Sequence, residues 1–128
     1  MVSTPTQHWE FDKAGCPEVL RLANGFREKP SYGEVRLKVD AVSLNRSDLM
    51  FLRDGYVEKV TFPSRFGSEV AGVIEALGPG VDDLKVGDRV STVNAFAISK
   101  YGTFGETILI SARTLAQLSL LAAIFIIF

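Results

Sequence analysis

"EVRLKVDAVSLNRSDLMFLRDG" (residues 34–55) changes its period half-way along. In its first nine residues Val35, Leu37, Val39 and Ala41 alternate with Glu34, Arg36, Lys38 and Asp40. That period of two describes a strand with one buried face. The alternation then stops. Asn45 has the side chain of a helix N-cap, and Asp48, three positions on, suits a first helical turn. Leu49, Met50 and Leu52 supply a short apolar face, and Gly55 can end the helix. The stretch therefore predicts a strand over 34–42 and then a helix of about two turns.

Moving outward, "GSEVAGVIEALGPG" (residues 67–80) reads as a second long strand. Its nearly continuous apolar run predicts burial on both faces. "GPGVDDL" is a turn, and "KVGDRVSTV" a strand with a tight bend at Gly87 and Asp88. "GTFGETILI" (residues 102–110) is a last strand. On the N-terminal side, residues 8–11 and 19–22 read as short strands joined by the turn "DKAGCP", and "NGFREKPSYGE" is a polar connection. Many short strands with glycine-rich turns every eight to twelve residues predict a mainly β fold, a small barrel or sandwich. Gly67, Gly72, Gly78, Gly80 and Gly87 are expected at positive φ or at close strand contacts.

A chain of 128 residues is the size of one domain. A net charge of -1, with Lys and Arg scattered, gives no field for nucleic acid or an anionic membrane. A single cysteine, Cys16, rules out an internal disulfide and a cysteine-rich zinc site, and favours a cytoplasmic location. The single histidine, His8, lies in a polar stretch and is expected to be exposed. The N-terminus has no secretory pattern. The C-terminal "LAQLSLLAAIFIIF" (residues 115–128) has Gln117 and Ser119 as its polar residues and no charge. It is shorter than the roughly 18 residues that mark a spanning helix. Self-association through it is expected in preference to membrane insertion.

Glu69 is a carboxylate between two glycines in an apolar run, where it is costly unless paired. Its first reading is structural, bonded to backbone N–H groups or to Arg46 or Arg65. "GPGVDD" lacks a third glycine and a following helix, so it is no dinucleotide fingerprint, and none occurs elsewhere in the chain.

"GCPEVLRL", "GEVRLKVDAVSLNRSDLMFLRDG", "FGSEVAGVIEALGPGV" and "LKVGDRV" follow one another in the order and spacing of one family. Over roughly residues 10–118 the chain resembles the N-terminal GroES-like domain of the medium-chain dehydrogenase/reductase superfamily. The resemblance implies a GroES-like barrel with one or two short helices that carries most of the catalytic groups. A separate Rossmann domain binds the nicotinamide cofactor. Zinc-dependent members have a cysteine where this chain has Asn45 and a histidine where it has Ser68. Both replacements are poor zinc ligands, and the four-cysteine structural zinc lobe is also missing. No zinc is expected. "NRSD" resembles instead the zinc-free quinone oxidoreductase branch.

In that branch Asn45 and Asp48 would lie near nicotinamide and substrate, besides their reading as helix caps. Tyr56 would stand near the substrate, or be a surface loop residue. Arg46 would approach a cofactor phosphate or ribose, or be an exposed helix arginine. The implied function is the substrate side of an NAD(P)H-dependent oxidoreductase that reduces quinones or activated enones, with NADP or NAD as cofactor. Residues 1–118 would form the domain, residues 119–128 a tail departing from the family pattern, and the Rossmann domain would be absent. Without it the chain is expected to hold the cofactor weakly and to be inactive alone. The other readings are a non-catalytic binding module or a defective fragment that associates through its apolar tail.

Overall fold

The computed structural model describes residues 3–57, 59–92 and 102–118. Among them, eight strands form two antiparallel sheets, accompanied by one α-helix. The strands are β1 (Pro5–Phe11), β2 (Arg21–Phe26), β3 (Glu34–Val42), β4 (Ser64–Arg65), β5 (Val70–Leu77), β6 (Arg89–Thr92), β7 (Thr107–Ser111) and β8 (Leu115–Gln117). The helix α1 spans Arg46–Leu52, between β3 and β4. One sheet has the order β2-β1-β4 and the other β7-β3-β5-β6-β8. The expected mainly β, GroES-like barrel is observed.

The larger sheet is built from the two strands with the clearest pattern. Val35 and Leu37 of β3 and Ile74 of β5 are fully or almost fully buried. They pack with Val70, Val90, Ile108 and Ile110 into one aliphatic core. The alternation of β3 fails near its end. A register shift between Val39 and Ala41 inserts Asp40 as an extra residue, and Ala41 is exposed. Opposite that irregularity lies Gly72, where a Cβ would sit 2.2 Å from the Lys38 carbonyl oxygen. In β5 every second residue from Val70 to Ile74 is buried and those between are half-buried, so both faces are covered.

Several boundaries differ from the sequence reading. β1 starts at Pro5 rather than residue 8, and β2 runs Arg21–Phe26, because Pro17–Val19 is a 3-10 turn. The Arg21–Phe26 segment pairs with all but the end of β1, so backbone pairing overrides its polar composition. β7 begins at Thr107, since residues 102–105 are used otherwise. They thread between β1 and the Phe66–Gly67 backbone through Trp9 N to Phe104 O, Phe104 N to Phe66 O and Gly102 N to Gly67 O, all at 2.8–3.0 Å. β4 and β8 were not expected from the sequence. Helix α1 ends in paired reversed bonds, Asp54 N to Phe51 O and Gly55 N to Met50 O, both 2.9 Å. Asp54, at φ 55°, takes the left-handed position expected of Gly55.

The face α1 buries also differs. Asp48, Phe51 and Leu52 point inward, whereas Leu49 and Met50 are exposed. Phe51 and Leu52 join Phe11 and Phe66 in a second cluster, flanked by Tyr56 and Phe104. Residues 119–128 of the apolar tail lie outside the described residues.

Candidate functional site

The loop after β3 delivers Asn45 as the N-cap of α1, with extended backbone. Asp48, at the third helical position, accepts the Asn45 backbone N–H on Oδ2 at 3.1 Å. The Asp48 N–H is taken by the Asn45 backbone carbonyl at 3.1 Å. The Asn45 carboxamide donates from Nδ2 to Glu69 Oε2 at 3.0 Å, in a partly buried position. On the buried side the Ser68 hydroxyl donates to Asp48 Oδ1 at 2.7 Å.

Two neighbours ahead of β5 thus grip the first turn of α1. Ser68 reaches its third residue and Glu69 its cap. Asp48 is 1% exposed and Ser68 6%. A carboxylate so enclosed is tolerable because both oxygens accept hydrogen bonds and it stands in the first turn of a helix. A hydrogen bond to a charged group contributes about 1.5–3 kcal/mol. Gly67 makes the approach possible. Its φ is +98°, and a Cβ there would lie 2.2 Å from Phe104 Cδ1 and 2.5 Å from Thr103 Oγ1.

Glu69 therefore departs from its sequence reading. Its partner is the neutral Asn45 carboxamide, not a backbone N–H, Arg46 or Arg65. Arg46 is exposed at the first position of α1, and Arg65 lines a cavity elsewhere. Tyr56 follows the far end of α1, half-buried against the aromatic cluster. Asn45 and Asp48 are brought together at the N-terminal end of α1, whereas Tyr56 follows its C-terminal end. Ser68 was missed as a site member. A lone serine beside a glycine carries no signal, and its partner is 20 positions away.

The donor set at this corner does not suit zinc. Asn45 presents an amide N–H, and the Ser68 hydroxyl is directed to Asp48. Among the described residues no group of three or more His, Cys, Asp or Glu could hold a metal ion.

The sequence pattern of the alcohol dehydrogenase GroES-like domain matches residues 31–119. The chain belongs to this family. Among its relatives, a quinone oxidoreductase of Pseudomonas aeruginosa is 36% identical over 109 residues, covering 85% of this chain and 32% of the relative. One from Salmonella typhimurium is 35% identical over 92 residues, covering 69% and 28%. The solved Pseudomonas syringae quinone oxidoreductase superposes with a TM-score of 0.79 at 32% identity, covering 89% of this chain and 34% of that one. The Escherichia coli quinone oxidoreductase, solved with NADPH, gives 0.75 at 28% identity, covering 88% and 33%. These relatives bear out the resemblance to the quinone oxidoreductase side of the medium-chain superfamily. The GroES-like chain spans about a third of the length of the relatives it matches. Among the described residues no helix is long and apolar enough to cross a membrane.

Proposed function

We propose that this GroES-like domain supplies the substrate side of a zinc-free NAD(P)H-dependent oxidoreductase that reduces quinones or activated enones. The observation that carries the reading is the 3.0 Å hydrogen bond from Asn45 Nδ2 to Glu69. It ties the two positions to each other where zinc-dependent relatives would serve a metal. A bound nicotinamide supplies the hydride.

Asn45 fits such a group, because a carboxamide offers both donor and acceptor to another carboxamide or to a quinone carbonyl. Glu69 sets the direction of that carboxamide. Asp48 and Ser68 hold the backbone that carries it. Tyr56 and Arg46 are the further proposed contacts, with substrate and with cofactor respectively. Quinones suit a site without a Lewis acid, since conjugation stabilises the product oxyanion; a simple alcohol benefits more from one.

The glycine turn and helix that grip a cofactor pyrophosphate have no counterpart in the sequence. A few hydrogen bonds of about 0.5–1.5 kcal/mol each fall short of the roughly 8 kcal/mol of micromolar binding. The chain alone is therefore expected to hold NADPH weakly and not to turn over. The apolar run at residues 119–128 supports a second reading, a module that self-associates.

The deciding assay is NADPH oxidation with 1,4-benzoquinone, by the chain alone and with a separately produced cofactor-binding domain of a relative. Activity appearing on mixing and lost in Asn45→Ala supports the proposal. No activity in the mixture, or activity unchanged by Asn45→Ala, refutes it.

A further inference from the structure

β2 stands at the edge of the three-stranded sheet. The bonding of its neighbour shows which of its backbone groups are unused. Trp9 and Gln7 of β1 turn their backbone groups away from β2: Trp9 N donates to Phe104 O, Trp9 O accepts from Phe66 N, and Gln7 O accepts from Glu106 N. Bonded and non-bonded pairs alternate along an antiparallel ladder. Thr6, His8 and Glu10 therefore bond to their opposites Gly25, Ala23 and Arg21. The N–H and C=O groups of Leu22, Asn24 and Phe26 then point out of the sheet. Among the described residues they have no backbone partner.

Such an edge is a template for another strand, and proteins usually guard it with shortness, charge or proline. β4 and β8, also at sheet edges, are two and three residues long. β2 has six residues, and "LANGF" (residues 22–26) contains neither charge nor proline. Its solvent face is ordered in rows. Across β1 and β2, Trp9 is opposite Leu22, Gln7 opposite Asn24, and Pro5 opposite Phe26. Trp9, Leu22 and Phe26 are 41%, 50% and 63% exposed. Gln7 Nε2 donates to Asn24 Oδ1 at 3.1 Å. An amide row thus lies between two apolar rows, and a two-fold axis at Asn24 maps apolar rows onto apolar rows and the amide row onto itself.

We infer that the β2 edge is an interface for a second copy of this chain, paired antiparallel about a two-fold axis at Asn24. In that register Leu22 faces the partner's Phe26, and Asn24 faces the partner's Asn24. All the outward backbone groups are used, each pair exchanging two N–H···O bonds. A slip of two residues either way leaves outward groups unpaired and sets Asn24 against an apolar residue. Arg21 and Arg27 flank the pairing and approach each other across it. Arg21 is already ion-paired with Glu10 and, at 2.7 Å, with Asp12, and Arg27 with Glu75 at 3.8 Å, so neither brings an uncompensated charge.

The test uses the full chain, by sedimentation and by amide hydrogen exchange at high and low protein concentration. At about 0.5 mM the chain should be a dimer, and the Leu22, Asn24 and Phe26 amides should exchange about tenfold or more slowly than after dilution. Asn24→Lys and Asn24→Glu each place like charges opposite one another, and each alone should weaken association by about tenfold or more. An equimolar mixture of the two should dimerise again. A parent chain that stays monomeric would overturn the inference. So would a dimer whose three amides exchange at a concentration-independent rate, which is the result expected of association through residues 119–128. Folded single variants that dimerise like the parent, or a mixture of folded variants that stays monomeric, would overturn it too. The exchange pattern of the parent needs no variant to fold.

Discussion

The two hydrophobic clusters of the domain are made of different residues and hold different things. The larger is aliphatic: Val35, Leu37, Val70, Ile74, Val90, Ile108 and Ile110 pack together from four strands of the five-stranded sheet. The smaller is mostly aromatic and gathers Phe11 from β1, Phe51 and Leu52 from α1, and Phe66 from the segment between β4 and β5. Phe11 meets Phe51, Phe62 and Phe66 edge-on, with ring centroids 5.8–6.4 Å apart. The aliphatic core maintains the barrel. The aromatic cluster fixes where α1 lies, and with it Asn45 and Asp48. The candidate site therefore depends on the smaller cluster, although the larger carries more of the fold.

The strongest way to break this division is Phe11→Ala. Phe11 is fully buried, and losing it should cost about 3–5 kcal/mol. Hydrogen exchange at the Arg53 and Asp54 amides, which close α1, should accelerate more than exchange within β5. Leu37→Ala is the counterpart in the aliphatic core, at about 2–5 kcal/mol. It should raise exchange across β3, β5 and β7 together and leave α1 no more affected than the sheet. Equal responses of α1 and the sheet in both variants would dissolve the distinction.

Asp48→Asn sharpens it at the site itself. The amide keeps one accepting oxygen for two donors, so either the Ser68 hydroxyl or the Asn45 backbone N–H loses its partner, and stability should fall by about 1–3 kcal/mol in urea unfolding. An unchanged midpoint would show that the pair of bonds from Ser68 and the Asn45 backbone to Asp48 holds nothing.

The smallest effect is expected far from α1. Asp88 has its pKa lowered, chiefly by the Lys85 backbone N–H and then by the Gln117 and Lys85 side chains. Its folded value lies below its unfolded one, so its contribution is complete at neutral pH. It is lost only as acid titrates the folded carboxylate, below about pH 4. Gln117 Nε2 reaches Asp88 Oδ2 at 2.6 Å, so the turn before β6 and the end of β8 should loosen there first. Asp88→Asn should flatten that acid limb by lowering stability at pH 7 while changing little in acid; an acid limb identical to that of the parent would contradict the assignment.

How much of this was legible in the sequence follows from the range of the interactions. β3 and β5 were readable because alternation and an apolar run are local signals, as was the cap spacing of Asn45 and Asp48. β4 and β8, two and three residues long, leave no pattern of their own. The inward face of α1 was misread because Leu49 and Met50 are as apolar as Phe51. Only the position of Phe11 and Phe66 decides which side is buried. The bonds that make the site, Asn45 to Glu69 and Ser68 to Asp48, join residues 24 and 20 positions apart. No spacing rule connects them. A buried carboxylate points to backbone N–H groups or an arginine, whereas the fold supplies a neutral amide.

The proposed site rests on Glu69 holding Asn45 in place across the gap between β5 and α1. A double-mutant cycle on Asn45→Ala and Glu69→Ala, read by urea unfolding, measures that link alone. Neighbours that share a hydrogen bond should couple by about 0.5–3 kcal/mol. A coupling indistinguishable from zero, with both single variants folded, would mean that the carboxamide is not held by Glu69 and that the site is not built as described.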